Sequence, residues 1–380
     1  KRIFVIIKFI VSHIYSWKNK VKSTIAIMKT SIYILTGLLL LASCINKQPS
    51  KDTIETQSSI SLDFVSEYMS QEEVLPVSKF VDSIQTIPLY LPDNEAIGRP
   101  SQICFSRDFF FIKDGQQQTI FCFKKDGTFC HKIDKIGQGP QDYARISRIM
   151  TDDNAQILYV YDNISSKINA YTFDGTFIQS ISVQENMSNI ELLPDHSFLC
   201  FTPDFLYNGP LGLWKMTKDG KREKIILEYT EKYPILMANW NAFYPISSKE
   251  VGIACPATNR FLIYDIEKGN VKTELSYDIK QNSIRSFPGI DNPIHVKGSF
   301  WACPIFACST NYIFGIWTEY NGQPEGVYSL CDKKEKKINC YKIIKDDMQN
   351  NPYIGELMPA NIPNAFVSFY PEEDETNTLS

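Results

Sequence analysis

The sequence predicts an all-β fold, a six-bladed β-propeller of four-stranded antiparallel blades with its ring closed by the N- and C-terminal strands. Two repeats predict it. Residues 120–129 (IFCFKKDGTF) return 48 residues later as residues 168–177 (INAYTFDGTF). The flanking segments return in the same order: 99–103 (RPSQI) matches 145–149 (RISRI), and 111–114 (FIKD) matches 159–162 (YVYD). Strand, Asp-Gly turn, strand at a period of about 40 to 50 residues is the pattern of a propeller blade. An aromatic content of 13% supplies the large flat side chains that fill sheet interfaces.

From the N-terminus, residues 1–27 lack an initiating methionine and read as a non-native or upstream extension, with translation starting at Met28. Met28-Lys29 is a short basic start, residues 32–41 are an apolar run, and Leu41-Ala42-Ser43-Cys44 closes it. That run is too short to span a bilayer comfortably, whereas small residues before a cut site suit a signal peptidase, so 28–44 reads as a signal peptide. The cysteine at the cut resembles a bacterial lipobox, which makes Cys44 the expected lipid attachment point and membrane anchor; the alternative is a free cysteine after an ordinary secretory signal. Residues 45–72, rich in Ser, Gln, Thr and charge, read as a flexible tether. The propeller is expected over 73–380.

The formal net charge is −4, and residues 1–44 carry seven basic residues and no acid, so their removal takes the remainder from −4 to −11. Phosphate binding needs clustered Lys and Arg that displace counterions, and no such stripe is present, which excludes nucleic acid as a partner class. The dense run Lys333-Lys334-Glu335-Lys336-Lys337 falls where a hairpin turn is expected. Ten cysteines would leave nine, an odd number, after lipidation of Cys44. Cys104, Cys122 and Cys200 fall inside strand patterns and read as small buried apolar residues, and Cys303 with Cys308 is the nearest thing to a bridge.

Weaker copies of the hairpin follow at 213–220 and 261–269, their glycines 45 and 49 residues apart from the preceding one. A two-residue hairpin turn keeps its glycine because it wants a positive φ. A fifth copy runs through 312–332, with residues 283–296 as an inserted loop. Leftover strands at 84–91 and 364–370 are expected to build the sixth blade together, since closure removes exposed sheet edges. Asp114 and Asp162, each ending a strand, are read as turn caps for the following amides.

Gly137-Gln138-Gly139-Pro140-Gln141-Asp142-Tyr143 links the first blade to the second. A dinucleotide loop is excluded: the third glycine is missing, Pro140 removes an amide, and strands follow where a helix should start. The motif reads as a tight crossover with Tyr143 packed inward. At these residues the chain resembles the exported six-bladed propeller lipoproteins of Gram-negative anaerobes, related to NHL-repeat propellers and carrying a domain of unknown function. The family's blade link is similar to Gly-x-Gly-Pro-x-[Glu/Asp]-Tyr, matched here by Gly137, Gly139, Pro140, Asp142 and Tyr143. The Asp-ended strands and Asp-Gly hairpins also match, over roughly residues 74–350; the long fifth unit and residues 350–380 depart. The resemblance implies the fold, export and lipid anchoring, and no established activity.

Catalytic signatures fail on inspection. There is no Gly-x-Ser-x-Gly elbow and no Gly-x-x-x-x-Gly-Lys phosphate loop, and Ser106-Arg107-Asp108 lacks the rest of a sialidase Asp box. His131, His196 and His295 fall in separate repeats, so a three-histidine metal site would need blades to converge. No metal or cofactor is expected. Trp240 and Trp301 could stack on a sugar ring or a peptide at a blade face, or pack in the core. The expected function is a membrane-anchored binding scaffold for an envelope protein or glycan. The alternative is a glycan- or peptidoglycan-fragment-active hydrolase or lyase with its site in the channel. Ile45, in place of an aspartate after Cys44, favours the outer membrane, and the absence of an acidic cluster in 46–48 favours its periplasmic face.

Overall fold

The computed structural model describes residues 3–9, 74–76, 83–202, 208–228, 243–255, 260–276, 300–302, 306–307, 311–320, 323–334, 338–341, 343–345, 358–362 and 365–371. Every regular element among them is a β-strand. Three strands precede the repeats: β1 (Ile3–Phe9), β2 (Val74–Pro76) and β3 (Ser83–Leu89). Blade one is β4 (Pro100–Phe105), β5 (Phe109–Asp114), β6 (Thr119–Lys124) and β7 (Phe129–Ile133). Blade two is β8 (Arg148–Asp152), β9 (Ile157–Asp162), β10 (Lys167–Thr172) and β11 (Phe177–Ser182). Blade three is β12 (Asn189–Leu192), β13 (Phe198–Thr202), β14 (Gly212–Met216) and β15 (Arg222–Glu228), and blade four is β16 (Phe243–Ser247), β17 (Glu250–Cys255), β18 (Arg260–Asp265) and β19 (Asn270–Ser276). Each blade is a four-stranded antiparallel meander in chain order.

Two further sheets and a short ladder follow. β20 (Phe300–Ala302), β22 (Asn311–Tyr320), β23 (Gln323–Asp332) and β24 (Ile338–Tyr341) pair in that order, and β21 (Phe306–Ala307) also pairs with β22. β25 (Ile343–Lys345) runs parallel to β2. β26 (Met358–Pro359) and β27 (Ala365–Pro371) join the N-terminal strands in the order β26, β27, β1, β3. The first strands of successive blades lie side by side, β4 with β8, β8 with β12 and β12 with β16; β26 lies against β4 and β21 against β16.

The repeated apolar strands are the second and third of each blade, and they lie between neighbours rather than against water. Thr119–Phe123 of β6 is buried at every residue, as expected of a short continuous apolar run covered on both faces. The cores therefore sit at the joints. Phe111, Ile120 and Cys122 of blade one pack with Ile149, Leu158, Val160 and Tyr171 of blade two. Tyr161 and Ile168 of blade two meet Phe198, Cys200 and Trp214 of blade three, and Leu199, Phe201 and Leu213 meet Phe243, Val251 and Leu262 of blade four. Ile87, Leu89 and Val367 of the end sheet meet Phe110, Phe121 and Phe123 of blade one. Each fully buried side chain of this size contributes about 1.5–3 kcal/mol. The fourth strands turn outward: β11 and β15 are largely exposed.

The Asp-Gly hairpins do more than reverse the chain. Gly127 has φ +86° and Gly220 φ +78°, and a Cβ on them would stand 1.7 Å from the Pro88 carbonyl oxygen and 2.1 Å from that of Ser182, respectively. The hairpin of one blade is thus pressed against the outermost strand end of the blade before it, and glycine is required both for its backbone region and for closeness. The aspartates at strand ends behave as read from the sequence. Asp114 accepts from the Gly98, Arg99, Gln116 and Gln117 amides at 2.6, 3.2, 2.7 and 3.0 Å. Asp162 accepts from those of Ala144, Ile164 and Ser165 at 2.7, 2.9 and 3.1 Å.

The front and back strands share a sheet, but they are not neighbours: β1 stands between them, paired antiparallel along seven residues with each. Residues 3–9 therefore contribute a strand to this sheet. The physical reason is composition: IFVIIKF is β-branched and aromatic, and an open pair of strand edges is satisfied by any segment that can pair with both. The signal segment 28–44 with Cys44, the tether, residues 283–296, His295, Cys303, Cys308 and Trp240 lie outside the described residues.

Candidate functional site

Two polar constellations stand out in the described blades, one at the axis and one at the crossover. Around the axis, side-chain amides take over pairing between first strands that belong to different sheets. The Gln102 amide donates to the Ile149 carbonyl at 2.7 Å and accepts from the Ile149 amide at 2.9 Å, bridging β4 to β8. Asn361, just after β26, does the same to Phe105: it accepts from the Phe105 amide at 2.5 Å and donates to its carbonyl at 2.8 Å. It also donates to the Thr151 hydroxyl at 2.9 Å. These amides imitate one rung of a ladder and lock the inner strands to each other.

Next to them the Arg148 guanidinium of β8 is bonded to the Glu191 carboxylate of β12. Arg148 is 7% exposed and Glu191 9%, and Arg148 Nε is buried with no hydrogen-bond partner among the described residues. Burial raises the Glu191 carboxyl, and Arg148 pulls it back part of the way. Lys113 donates to the Ser147 carbonyl at 3.0 Å; burial and then the Arg148 and Arg145 charges hold its ammonium down to about 8. Burial pushes the Cys104 thiol up to about 12, so it is an inert packing group there. Gln102, Cys104, Arg148, Glu191 and Asn361 line a pocket that holds a cavity of about 20 Å³, room for about one water.

The crossover is built around Tyr143, fully buried, whose hydroxyl donates to the Ile133 carbonyl at 2.9 Å and accepts from the Lys135 amide at 3.2 Å. The Gly139 amide donates to the Asp142 carboxylate at 2.8 Å, and a Cβ on Gly137 or Gly139 would come within 2.4 or 2.8 Å of that carboxylate. Blade two holds the loop from below: Tyr171 donates to the Gln141 carbonyl at 2.6 Å and Asn169 to that of Asp142 at 2.9 Å. The motif residues Gly137, Gly139, Asp142 and Tyr143 are thus brought together, with Pro140 in the same turn, as a structural clamp. The same end of the blades carries the Asp162-capped turn, tied to the crossover through Ala144. Ile136 on the crossover and Ile164 on that turn are 57% and 63% exposed.

Trp301 lies in β20, in register with Trp317 of β22. His131 is in β7, and His196, with φ +61°, meets Asp152 at 2.7 Å. Among the described residues no group of three or more His, Cys, Asp or Glu could hold a metal ion. Sequence reading missed the axial residues Gln102, Arg148, Glu191 and Asn361. One signal was available: Gln102 and Arg148 occupy the same place in the matched segments 99–103 and 145–149, each directly before an apolar pair, Ile103-Cys104 and Ile149-Met150.

Comparison with known proteins adds the following. The profile of DUF4934, a domain of unknown function, matches residues 59–379. A presumed exported protein of Bacteroides fragilis has a similar structure, with a TM-score of 0.52 at 15% identity over 67% of this chain and 74% of that one. A member of the DUF4221 family from Bacteroides vulgatus gives a TM-score of 0.44 at 10% identity, over 75% of this chain and 96% of that one. No curated protein matches the chain.

Proposed function

We propose a function from one premise: the chain belongs to the DUF4934 family of domains of unknown function. It acts as a binding scaffold of the cell envelope and recognises an envelope protein or glycan on the face that collects the blade crossovers and the Asp-capped turns. One observation carries this reading. Ile136 and Ile164 are held out to solvent on loops fixed by the Tyr143 clamp and the Asp162 cap, and rigid loops bearing exposed apolar groups lose little entropy on binding.

The channel supports catalysis less well. Glycoside hydrolysis wants two carboxylates flanking a bound sugar. Among the described lining residues Glu191 is the one carboxylate, it is committed to Arg148, and the space beside it admits a water.

The finer reading counts six blades, taking the β20–β24 sheet as the fifth and the end sheet as the sixth. It places the protein in the outer membrane, facing the periplasm, with Cys44 lipidated; similarity in fold to a presumed exported protein supports export. Trp240 and Trp301 remain candidate contacts for a ring-shaped ligand.

The test is capture from envelope extracts and on a glycan array. The I136D/I164D double variant is expected to lose at least tenfold in binding with an unchanged melting temperature. Equal binding by the variant, or no ligand in either assay, overturns the scaffold reading. Mass measurement of the processed protein tests Cys44 separately.

A further inference from the structure

In the end sheet one strand comes from residues that read from the sequence as preceding the mature chain. Counting outward from the axis, blades one to four take their strands from consecutive segments; in the end sheet the third place belongs to β1, whose residues precede the segment read as a signal peptide. β1 runs antiparallel to both neighbours, so β27 and β3 run parallel to each other one strand-width apart. With β1 gone they would face each other in parallel orientation across a gap one strand wide, beyond hydrogen-bond reach unless the sheet rearranges.

Every residue from Ile3 to Phe9 has a Cα partner on both sides. Ile3, Val5, Ile7 and Phe9 share register with Leu89, Ile87, Gln85 and Ser83 of β3 and with Pro371, Phe369, Val367 and Ala365 of β27. Leu89, Ile87, Val367 and Ala365 are buried in the core shared with blade one, and Phe369 packs against it. Removing β1 would leave two backbone edges unpaired next to that core, which is costly for a buried sheet.

We propose that the third place of the end sheet is a strand-acceptor site. Once residues 1–43 are cleaved from the chain, it takes up an extended apolar segment of a partner polypeptide, antiparallel to β3 and β27. The segment has about seven residues, apolar at alternate positions and free of proline at its centre, because the slot pairs both edges of its guest. This rests on the reading that processing occurs at Cys44. The binding face described above is not involved.

The experiment starts from the folded full chain with a protease site placed within residues 12–54. After cutting, the N-terminal fragment is expected to co-elute with the body on size exclusion. A fluorescent peptide of residues 1–11 is expected to replace it with a micromolar midpoint, and a body stripped of both is expected to melt several degrees lower. The peptide carrying Val5→Pro, which lacks a central amide, is expected to bind at least tenfold more weakly. Release of the fragment with no change in melting temperature and no peptide binding overturns the proposal. So does a stripped body that dimerises and excludes the peptide, which would make a second copy the guest. A mature N-terminus other than Cys44 refutes the processing premise while leaving the peptide result to judge the slot.

Discussion

Blades one and two and the end sheet share the same core chemistry but are assembled in opposite ways. Each of the first two is a meander of hairpins whose partners lie within a few tens of residues, so turn and strand chemistry specify each other locally. The end sheet gathers strands from residues 3–9, 83–89 and 358–371, and nothing local fixes their order. The difference teaches where the ring's integrity is decided: at the joint between β3, Asn361 and blade one. There a hairpin, a strand end and one side-chain amide connect the chain's distant parts.

The largest expected effect attacks that joint. Gly127→Ala drives a Cβ into the Pro88 carbonyl and adds backbone strain, and it should cost about 3 kcal/mol or more. Gly220→Ala, against Ser182, should cost a similar amount. Gly269→Ala meets only the far end of the Lys224 side chain and should cost about 1 kcal/mol. Denaturant melts of the three variants check the order; a Gly127 variant as mild as that of Gly269 would show that the hairpin is not docked on the end sheet.

Asn361→Ala removes three hydrogen bonds across the same joint and is expected to cost about 2 kcal/mol. Gln102→Ala, which breaks the equivalent bridge between two local blades, should match it within about 1 kcal/mol. A much smaller Asn361 effect would mean that the end sheet is held by its apolar core instead. Tyr143→Phe is expected to cost about 1 kcal/mol. Amide exchange should quicken at Gly137 and Lys135 and stay unchanged in the end sheet, which separates a local clamp from a ring-wide one.

The smallest effect is electrostatic. The Lys113 ammonium is held near 8 in the fold, below its ordinary 10.5, so the folded state is penalised while Lys113 is charged. That penalty is fully present below pH 8 and lifts as pH rises from 8 towards 10.5, where the unfolded chain also loses the proton. Lys113→Met is therefore expected to gain on the natural protein at pH 7 and to lose that advantage by pH 10. A pH-independent difference would mean that Lys113 is hydrated.

Several parts were legible because one residue type served one local need. The Asp-Gly turns, the caps at Asp114 and Asp162, the buried Cys104, Cys122 and Cys200, and the Tyr143 crossover follow from φ preferences, amide satisfaction and strand pattern. Gln102 and Arg148 were visible as polar residues at one matched position of the two repeats, but their partners Ile149 and Glu191 belong to the next blade. Asn361 lies in a segment with no recognisable repeat, so nothing in its neighbourhood marked it as a bridge.

The amino-acid order by itself determined a repeating all-β chain, its hairpins and the acidic body, since those depend on interactions within one turn or between adjacent strands. The tertiary structure decided which strands meet at the chain's ends, that β1 stands between β3 and β27, and that amide bridges and the Arg148–Glu191 pair tie the described first strands together at the axis. Those outcomes turn on which distant edges and charges are left unsatisfied once the blades have formed, a quantity that exists only in three dimensions.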